Sequence, residues 1–214
     1  MPSDKLKFFS EEEYFRFEEK SEIKYEYVDR QIYAMSGATQ RHNEIQMNIF
    51  LALSKFLCNR PCRAFIGNHR VKIKKANCYY YPDVMVTCSG LDDGKSVYNE
   101  GPVLVVEVLS RSTAPIDRRE KLSNYLKLES LREYVLVQQN RKKVELYRLD
   151  NDGSWTKTDY GPGDFVIFKS LPAGEFKLSV EEIYRDVNID PDLQVKEDSP
   201  EYSLSENELY DLCW

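Results

Sequence analysis

Apolar side chains recur with the period of a helix in one long segment of the chain. They return every four residues, at Ile45, Ile49, Leu53 and Leu57. This spacing is typical of an α-helix with one face in the core, and Thr39 stands where a side chain could cap its first turn. The pattern predicts a helix of about fifteen residues, with His42 and Glu44 near its first turns.

Three shorter segments also have helical character. SEEEYFRFEE begins at Ser10 and has a glutamate three residues later, which is the spacing of a capping box. IDRREKLSNYLKLE follows Pro115, and SVEEIYR begins at Ser179, a second possible cap.

The remaining apolar runs read as strands. IKYEYVDRQIYAMSG holds two alternating runs around Asp29 and Arg30, which predicts a hairpin. Further strands are predicted in CRAFIGNHRVKIKK, with a turn near Gly67 and Asn68, and in YYYPDVMVTC, GPVLVVEVLS and EYVLVQQ.

The order of these elements predicts the fold class. Helix, three strands, helix, strand is the order of an α/β core. The runs KKVELYRL, SWTKTDY and FVIFKS, with DNDGS as a turn, predict an additional antiparallel β extension. We therefore expect a single domain over residues 1–187 and an acidic C-terminal tail over residues 188–214.

The composition is that of an ordinary globular domain. A chain of 214 residues, 42% of them hydrophobic, can bury one sizeable core. No window approaches about eighteen consecutive apolar residues, and the N-terminal sequence has no apolar run that fits a signal peptide. We expect a cytoplasmic protein without membrane contact, whose five cysteines stay free thiols. Cys58 and Cys62 could form half of a zinc site, but with only two histidines in the chain zinc is disfavoured.

Charge is distributed unevenly along the chain. Residues 181–214 hold 11 acidic and 2 basic side chains, which leaves 25 acidic and 28 basic ones for residues 1–180. Two basic regions stand out in this mildly basic body, and both would suit a phosphate backbone. The first is Arg60, Arg63, Arg70, Lys72, Lys74 and Lys75, and the second is Arg111, Arg118, Arg119 and Lys121. Charge alone fits equally a set of solvated strand edges and a helix face.

Two carboxylates stand inside strand-like runs. Asp83 follows Pro82 in YYYPDVMV, and Glu107 has four apolar residues before it and two after it. A lone buried carboxylate costs several kcal/mol or takes up a proton, so a partner is expected. If the two strands are neighbours, Asp83 and Glu107 can converge, and a divalent cation would join them. Oxygen ligands select Mg²⁺ or Mn²⁺.

A lysine can reach the same place from the following helix. Asp117, Lys121 and Tyr125 fall four residues apart, on one stripe of one helix face. Two carboxylates, a metal and a lysine are the parts needed for metal-assisted attack of water on a phosphodiester. Taken singly, each residue has a simpler interpretation: Asp83 as a turn residue, and Asp117 with Lys121 as a surface pair.

Several of these motifs together resemble a known family. YYYPDVMV, GPVLVVEVLSRST and DRREKLSNYLKLESLREYVLV, with KYEYVD and RHNEIQMNI upstream, are similar to the Uma family of putative restriction endonucleases, a branch of the PD-(D/E)XK nuclease superfamily. The resemblance runs from about Glu11 to Tyr184. It implies a restriction-endonuclease-like core, DNA as substrate, Mg²⁺ as cofactor with Mn²⁺ as a substitute, and a homodimer.

The resemblance also implies roles for individual residues. Asp83 and Glu107 would bind the metal, with the main-chain carbonyl of Val108 as a third ligand and Glu26 as a further one. Lys121 would be catalytic. His42, Tyr125 and Arg118 would contact the substrate.

This sequence departs from the pattern in places. Leu109 stands where the superfamily usually has its lysine, so Lys121 on the next helix would replace it. Arg111 replaces a usual proline, and Gln138 stands where an acidic residue is common. Two other function classes therefore stay open: a nucleic-acid-binding or regulatory module with little catalysis, and a structural protein in which Glu107 is merely paired with Lys121.

Overall fold

The computed structural model describes residues 8–89, 95–110, 114–172 and 174–189. Its helices are α1 (Glu11–Glu18), α2 (Gln40–Phe56), α3 (Ala114–Ile116), α4 (Leu122–Tyr125) and α5 (Val180–Ile183), with a π-helical turn (Asp117–Lys121) joining α3 to α4. The continuous segment 114–125 is called the site helix below.

The strands form three sheets. They are β1 (Tyr25–Val28), β2 (Gln31–Ala34), β3 (Arg63–Ile66), β4 (Arg70–Ile73), β5 (Cys78–Tyr80), β6 (Val84–Thr87), β7 (Tyr98–Asn99), β8 (Pro102–Leu109), β9 (Glu133–Gln138), β10 (Val144–Leu149), β11 (Trp155–Tyr160), β12 (Phe165–Phe168) and β13 (Phe176–Ser179). The central sheet has the order β11-β10-β9-β8-β6-β3, the second sheet β2-β1-β5-β4-β7, and β12 pairs with β13.

The central sheet confirms the predicted α/β core. β8 pairs antiparallel with β6 and parallel with β9, so it is buried between two neighbours and covered on both faces. One face packs against α2 through Ile45, Ile49 and Leu53. The other face packs against the site helix and the second sheet, in a cluster that includes Leu109, Leu122 and Tyr125. The predicted β extension is present as β10 and β11.

The predicted helix caps and the predicted hairpin turn are confirmed. Ser10 and Glu13 form the capping box of α1, and Thr39 caps α2. Ser179 caps α5 by accepting from the N–H of Glu182. The hairpin of β1 and β2 turns through Asp29, whose φ is 43°.

Two predicted strands cross from one sheet to another. CRAFIGNHRVKIKK provides β3 to the central sheet and β4 to the second sheet, with the change of direction at Gly67 (φ 56°). YYYPDVMV is likewise split, because β5 ends at Tyr80 and β6 begins at Val84. The prediction of one strand over YYYPDVMVTC was therefore wrong. Pro82 lies in the gap, where no ladder hydrogen bond is required of it.

One cysteine prediction was wrong. Cys62 and Cys88 form a disulfide, with Cα atoms 4.0 Å apart. They are adjacent because Arg63 and Thr87 are paired across β3 and β6, which puts the preceding and following cysteines opposite each other. Cys58 and Cys78 are free. The pairing also removes Cys62 from any zinc site.

In the described parts of the chain, no helix combines the length and apolarity that crossing a bilayer requires. The predicted acidic tail lies outside the described residues from position 190 onward.

Candidate active site at the crossing of two sheets

Asp83 and Glu107 lie opposite each other on neighbouring strands. Val84 pairs with Val106 across β6 and β8, so the next antiparallel pair toward the sheet edge is Asp83 and Glu107. The predicted convergence of these carboxylates is therefore a direct result of register.

Asp83 is held by two donors. Its Oδ1 lies 2.8 Å from Nε2 of His42, and its Oδ2 accepts from the backbone N–H of Val108 at 2.6 Å. Its backbone carbonyl accepts from the N–H of Gly67 at 2.9 Å and from Nε2 of Gln46 at 2.7 Å. The carboxylate is thus oriented by α2 and β8, and the backbone of Asp83 is held by α2 and by the turn between β3 and β4.

Glu107 is buried, with 3% of its surface exposed. Its Oε1 accepts from the hydroxyl of Tyr125 at 3.3 Å and lies 3.7 Å from Nζ of Lys121. Burial raises the pKa of Glu107 well above its usual range, and the nearby carboxylates add to this effect, while Lys121 opposes it. Glu107 is therefore under-compensated as an anion.

Lys121 is the cation of the site. Its Nζ lies 2.8 Å from Oε1 of Glu26 and 3.4 Å from Oδ1 of Asp117. Burial alone would lower the pKa of Lys121, but the charges of Glu107, Glu26 and Asp117 outweigh it and raise the pKa well above its usual value. The ammonium is therefore charged at neutral pH.

The backbone around Lys121 is unusual. Residues Asp117–Lys121 form a π-helical turn within the site helix. Such turns are rare and frequently occur at functional sites. The hydroxyl of Tyr134 donates to the carbonyl of Asp117 at 3.1 Å, which fixes this turn to β9.

Glu26 and His42 reach the site from opposite sides. Glu26 is on β1, and its Oε1 also accepts from the N–H of Tyr81 at 3.3 Å. Burial raises its pKa, against the charge of Lys121. His42 is in the first turn of α2, where its N–H donates to the capping hydroxyl of Thr39. The structure thus brings together Glu26, His42, Asp83, Glu107 and Lys121.

Two predicted substrate contacts are engaged with other residues of the protein. Tyr125 is fully buried beneath Glu107 and has no exposed face for a substrate. Arg118 points to β10, where its Nη2 lies 2.5 Å from Oε1 of Glu145. Both are positioned to support the site and the sheet.

Comparison with known proteins gives the family. The model of the family described as "Uma2: Putative restriction endonuclease" matches residues 11–181. The chain belongs to this family.

The chain is also similar to two uncharacterized proteins and to one solved structure. The uncharacterized protein slr1290 of Synechocystis sp. is 36% identical over 186 residues, covering 86% of this chain and 95% of that protein. The uncharacterized protein sll1609 of the same organism is 32% identical over 149 residues, covering 69% and 84%. A crystal structure titled as a putative nuclease belonging to DUF820 from Anabaena variabilis matches the fold with a TM-score of 0.69. It shares 17% identity over 83% of this chain and 98% of that chain.

The carboxylates of this Uma2 member outnumber the cation between them. Glu26, Glu107 and Asp117 surround Lys121, and Asp83 lies near Glu107. In the described residues, no group of three or more His, Cys, Asp or Glu side chains has the geometry of a metal site. Mg²⁺ does not need one, because it keeps several waters and binds through one or two carboxylates. The excess negative charge beside Glu107 fits such a cation.

The two predicted basic regions are largely neutralised by ion pairs. Partners are Arg70 with Glu18, Lys72 with Glu11, Lys74 with Glu100, Lys75 with Glu129, and Arg118 with Glu145. Arg111 lies outside the described residues. These pairs remove most of the excess charge on which the predicted phosphate contacts depended.

Two supporting groups were missed by sequence reasoning. Gln46 stands one turn after His42, on the same helix face, and this spacing could have indicated a second contact to Asp83. Glu18 accepts from the hydroxyl of Tyr81 at 2.6 Å and also pairs with Arg70, so it fixes the residue just before Pro82. No local pattern indicates that contact, since 63 residues separate Glu18 from Tyr81.

Proposed function

We propose that this Uma2 protein is a Mg²⁺-dependent DNA endonuclease that hydrolyses phosphodiester bonds. The observation that carries the proposal is the placement of Asp83 and Glu107, each one residue beyond the paired Val84 and Val106, with the charged Lys121 held 3.7 Å from Glu107. Family membership adds support, because the family is described as "Putative restriction endonuclease".

Asp83 and Glu107 would hold the metal, with the carbonyl of Val108 as a third ligand and Glu26 as a further one. Bound there, Mg²⁺ would lower the pKa of water and neutralise phosphate charge. His42 and the N–H of Val108 keep the Asp83 carboxylate in a fixed orientation. Tyr125 does the same for Glu107.

Lys121 would stabilise the negative charge that develops on the phosphate during hydrolysis. Its carboxylate neighbours keep it protonated and hold the flexible side chain in one place. Glu26 is the nearest of them and is itself fixed by the N–H of Tyr81. The lysine is thus supplied by the site helix, although its usual strand position is occupied by Leu109.

Plasmid nicking tests the proposal. Supercoiled plasmid incubated with Mg²⁺ or Mn²⁺ should be nicked by the wild-type protein and not by Asp83→Asn, which keeps the size of the side chain. Glu129→Gln is the matched control, because Glu129 is exposed on the surface and should leave nicking unchanged. Absence of nicking by the wild type across varied plasmids would contradict the proposal.

Calorimetry with Mn²⁺ tests the metal site separately. The wild type should release binding heat that Asp83→Asn lacks, while Glu129→Gln should behave as the wild type. Equal heats for wild type and Asp83→Asn would exclude Asp83 as a ligand.

A second candidate function is a nucleic-acid-binding or regulatory module on the same fold. It is favoured by the lack, in the described residues, of a metal-site cluster of three or more side chains. Binding of DNA without nicking would support this candidate. A homodimer, which could cut both strands of a duplex, is part of the main proposal and is measured by analytical ultracentrifugation.

A further inference from the structure

A basic turn lies on the same sheet edge as the carboxylates. We call residues 139–143, between β9 and β10, the basic hairpin turn. Arg141, Lys142 and Lys143 line a cavity of about 320 Å³ together with Asp159, Tyr160 and Gly161. Three cations and one carboxylate therefore surround this cavity.

Lys142 of the basic hairpin turn forms no ion pair with a carboxylate of the described residues, although its charge lowers the pKa of Glu181. Lys143 pairs with Asp159 at 2.7 Å, which accounts for the one carboxylate of the lining. Nε of Arg141 donates to the side-chain oxygen of Gln138, a neutral amide, at 2.5 Å. The nearest buried acid, Glu145, is matched by both Arg118 and Lys157.

Arg41 of α2 lies two residues after Thr39, whose hydroxyl donates to Gln139 of the basic hairpin turn. It is seven residues from Asn48, so the two side chains share one face of the helix. Asn48 donates to the carbonyls of Ile183 and Arg185, which flank Tyr184. The hydroxyl of Tyr184 in turn contacts Gln138 and Lys143.

The guanidinium of Arg41 has a hydrogen-bond donor that no described residue satisfies. Its Nη1 is buried and has no hydrogen-bond partner among the described residues. A buried donor without a partner costs free energy unless a ligand or water satisfies it. An anionic oxygen at this position would satisfy it and would also offset its charge.

Strand order gives the distance to the candidate active site. Leu109 pairs with Gln138 at the ends of β8 and β9, and β10 starts at the same edge. Two strand spacings from β8 to β10 amount to about 10 Å. This is about three nucleotides of a duplex, at ~3.4 Å per nucleotide along its axis. The α2 cap connects the two places, because Thr39 donates to Gln139 at 2.7 Å while it caps the turn that carries His42.

We propose that Lys142 of the basic hairpin turn and Arg41 bind backbone phosphates of DNA a few nucleotides from the bond that is cut. The inference rests on the proposed nuclease function and assigns it a substrate-positioning surface. Such contacts are independent of sequence and set the register of the duplex over the carboxylates.

The test measures DNA binding as a function of salt. A fluorescein-labelled duplex of roughly 20 base pairs is titrated with full-length protein at NaCl concentrations from about 50 to 200 mM, and fluorescence anisotropy gives the affinity. All proteins carry Asp83→Asn, so that no strand is cut during the measurement. The variants are Lys142→Ala, Arg41→Gln and the double substitution.

Lys55→Ala is the matched control. Lys55 is exposed on the same helix as Arg41 but fourteen residues away, which is about 21 Å along the axis. Each test substitution should weaken binding and reduce the slope of log affinity against log salt by about 0.9, and the double substitution by about twice that. The control should keep the parent slope. Melting temperatures confirm that each variant is folded.

The outcomes separate this inference from the proposed function. Parent-like slopes in both test variants, or no binding of the duplex by the parent, would overturn the inference. Nicking by the protein with an intact Asp83 is measured independently and decides the proposed function alone. A protein that binds DNA through Lys142 and Arg41 but does not nick it would leave the phosphate contacts standing and refute the nuclease.

Discussion

Asp83 and Glu107 form a register pair, but their surroundings differ. Asp83 is compensated by His42 and a backbone N–H. Glu107 has one weak hydroxyl donor and a lysine that lies nearer to Glu26. An anion held this way costs stability in the folded protein, as is common for residues kept for function.

Removing the ionisable carboxyl of Glu107 should therefore stabilise the metal-free protein, because burial disfavours its charged form. We expect Glu107→Gln to raise the free energy of unfolding by about 1–2 kcal/mol at neutral pH, and to abolish both nicking and stabilisation by Mn²⁺. Urea unfolding with EDTA and with Mn²⁺ measures both effects. A destabilised Glu107→Gln protein would show that the interaction of Glu107 with Lys121 contributes more to stability than the burial of Glu107 costs.

Glu145, on β10, provides a control of opposite sign. Burial would raise its pKa, but Arg118 and Lys157 overcome this and lower the pKa to about 2. Its folded pKa is depressed, so its contribution to stability is present above the unfolded pKa of about 4.3 and is lost as pH falls toward 2.

We expect Glu145→Gln to lose up to ~3 kcal/mol at pH 7 relative to wild type. The difference should shrink steadily between about pH 4.3 and pH 2. Urea unfolding at a series of pH values measures it. A difference that does not change with pH would show that the lost stability comes from packing and not from the ion pairs of Glu145.

At the scale of elements, α2 connects stability to the site. Its cap residue Thr39 accepts from the N–H of His42 and donates to Gln139. Thr39→Ala should cost about 1 kcal/mol, the usual value of a cap. It should also lower nicking, because the turn that positions His42 loses its anchor.

Ser10→Ala is the control for this prediction. Ser10 caps α1 in the same way, but its contacts do not include residues of the site. Urea unfolding should show similar losses in both variants, while the nicking rate should fall only for Thr39→Ala. Equal nicking rates would indicate that His42 is positioned by its contact with Asp83 alone.

The elements that sequence predicted well are those set by neighbours in the chain. The caps at Ser10, Thr39 and Ser179 and the apolar run of β8 depend on residues a few positions apart. The opposition of Asp83 and Glu107 also followed, since it required only that two strands be adjacent.

Sequence failed where distant residues decide the outcome. The break at Pro82 arises because β5 pairs in the second sheet and β6 pairs in the central sheet. The neutralisation of Lys72 depends on Glu11, 61 residues away, and no local pattern reports such a pair. The disulfide of Cys62 and Cys88 likewise depends on the register of β3 with β6. The strand β13 was not predicted, because it is recognised only by its pairing with β12, which lies elsewhere in the chain.

At the scale of the whole molecule, charge is divided between a mildly basic body and an acidic C-terminal segment. Residues 181–214 carry 11 acidic and 2 basic side chains. We propose that this segment competes with DNA for the body. Deleting residues 190–214 should then tighten DNA binding, most strongly at low salt, where charge effects are largest.

Anisotropy titrations at two salt concentrations measure the effect of the deletion. A full-length protein in which the acidic residues of 190–214 are replaced by Asn and Gln separates charge from chain length. Unchanged affinity in both proteins would limit the segment to a contribution to solubility.

The chain passes between the two sheets at Gly67 and again just before Asp83, and this has a mechanical consequence. Gly67 and Asp83 mark two of the crossings, and the N–H of Gly67 donates to the carbonyl of Asp83 at 2.9 Å. This hydrogen bond connects two places where the chain passes between the sheets, and one of its partners, Asp83, belongs to the candidate active site. Rotation of one sheet over the other would turn the backbone of Asp83. The alignment of the two carboxylates therefore depends on how rigidly the two sheets are held together.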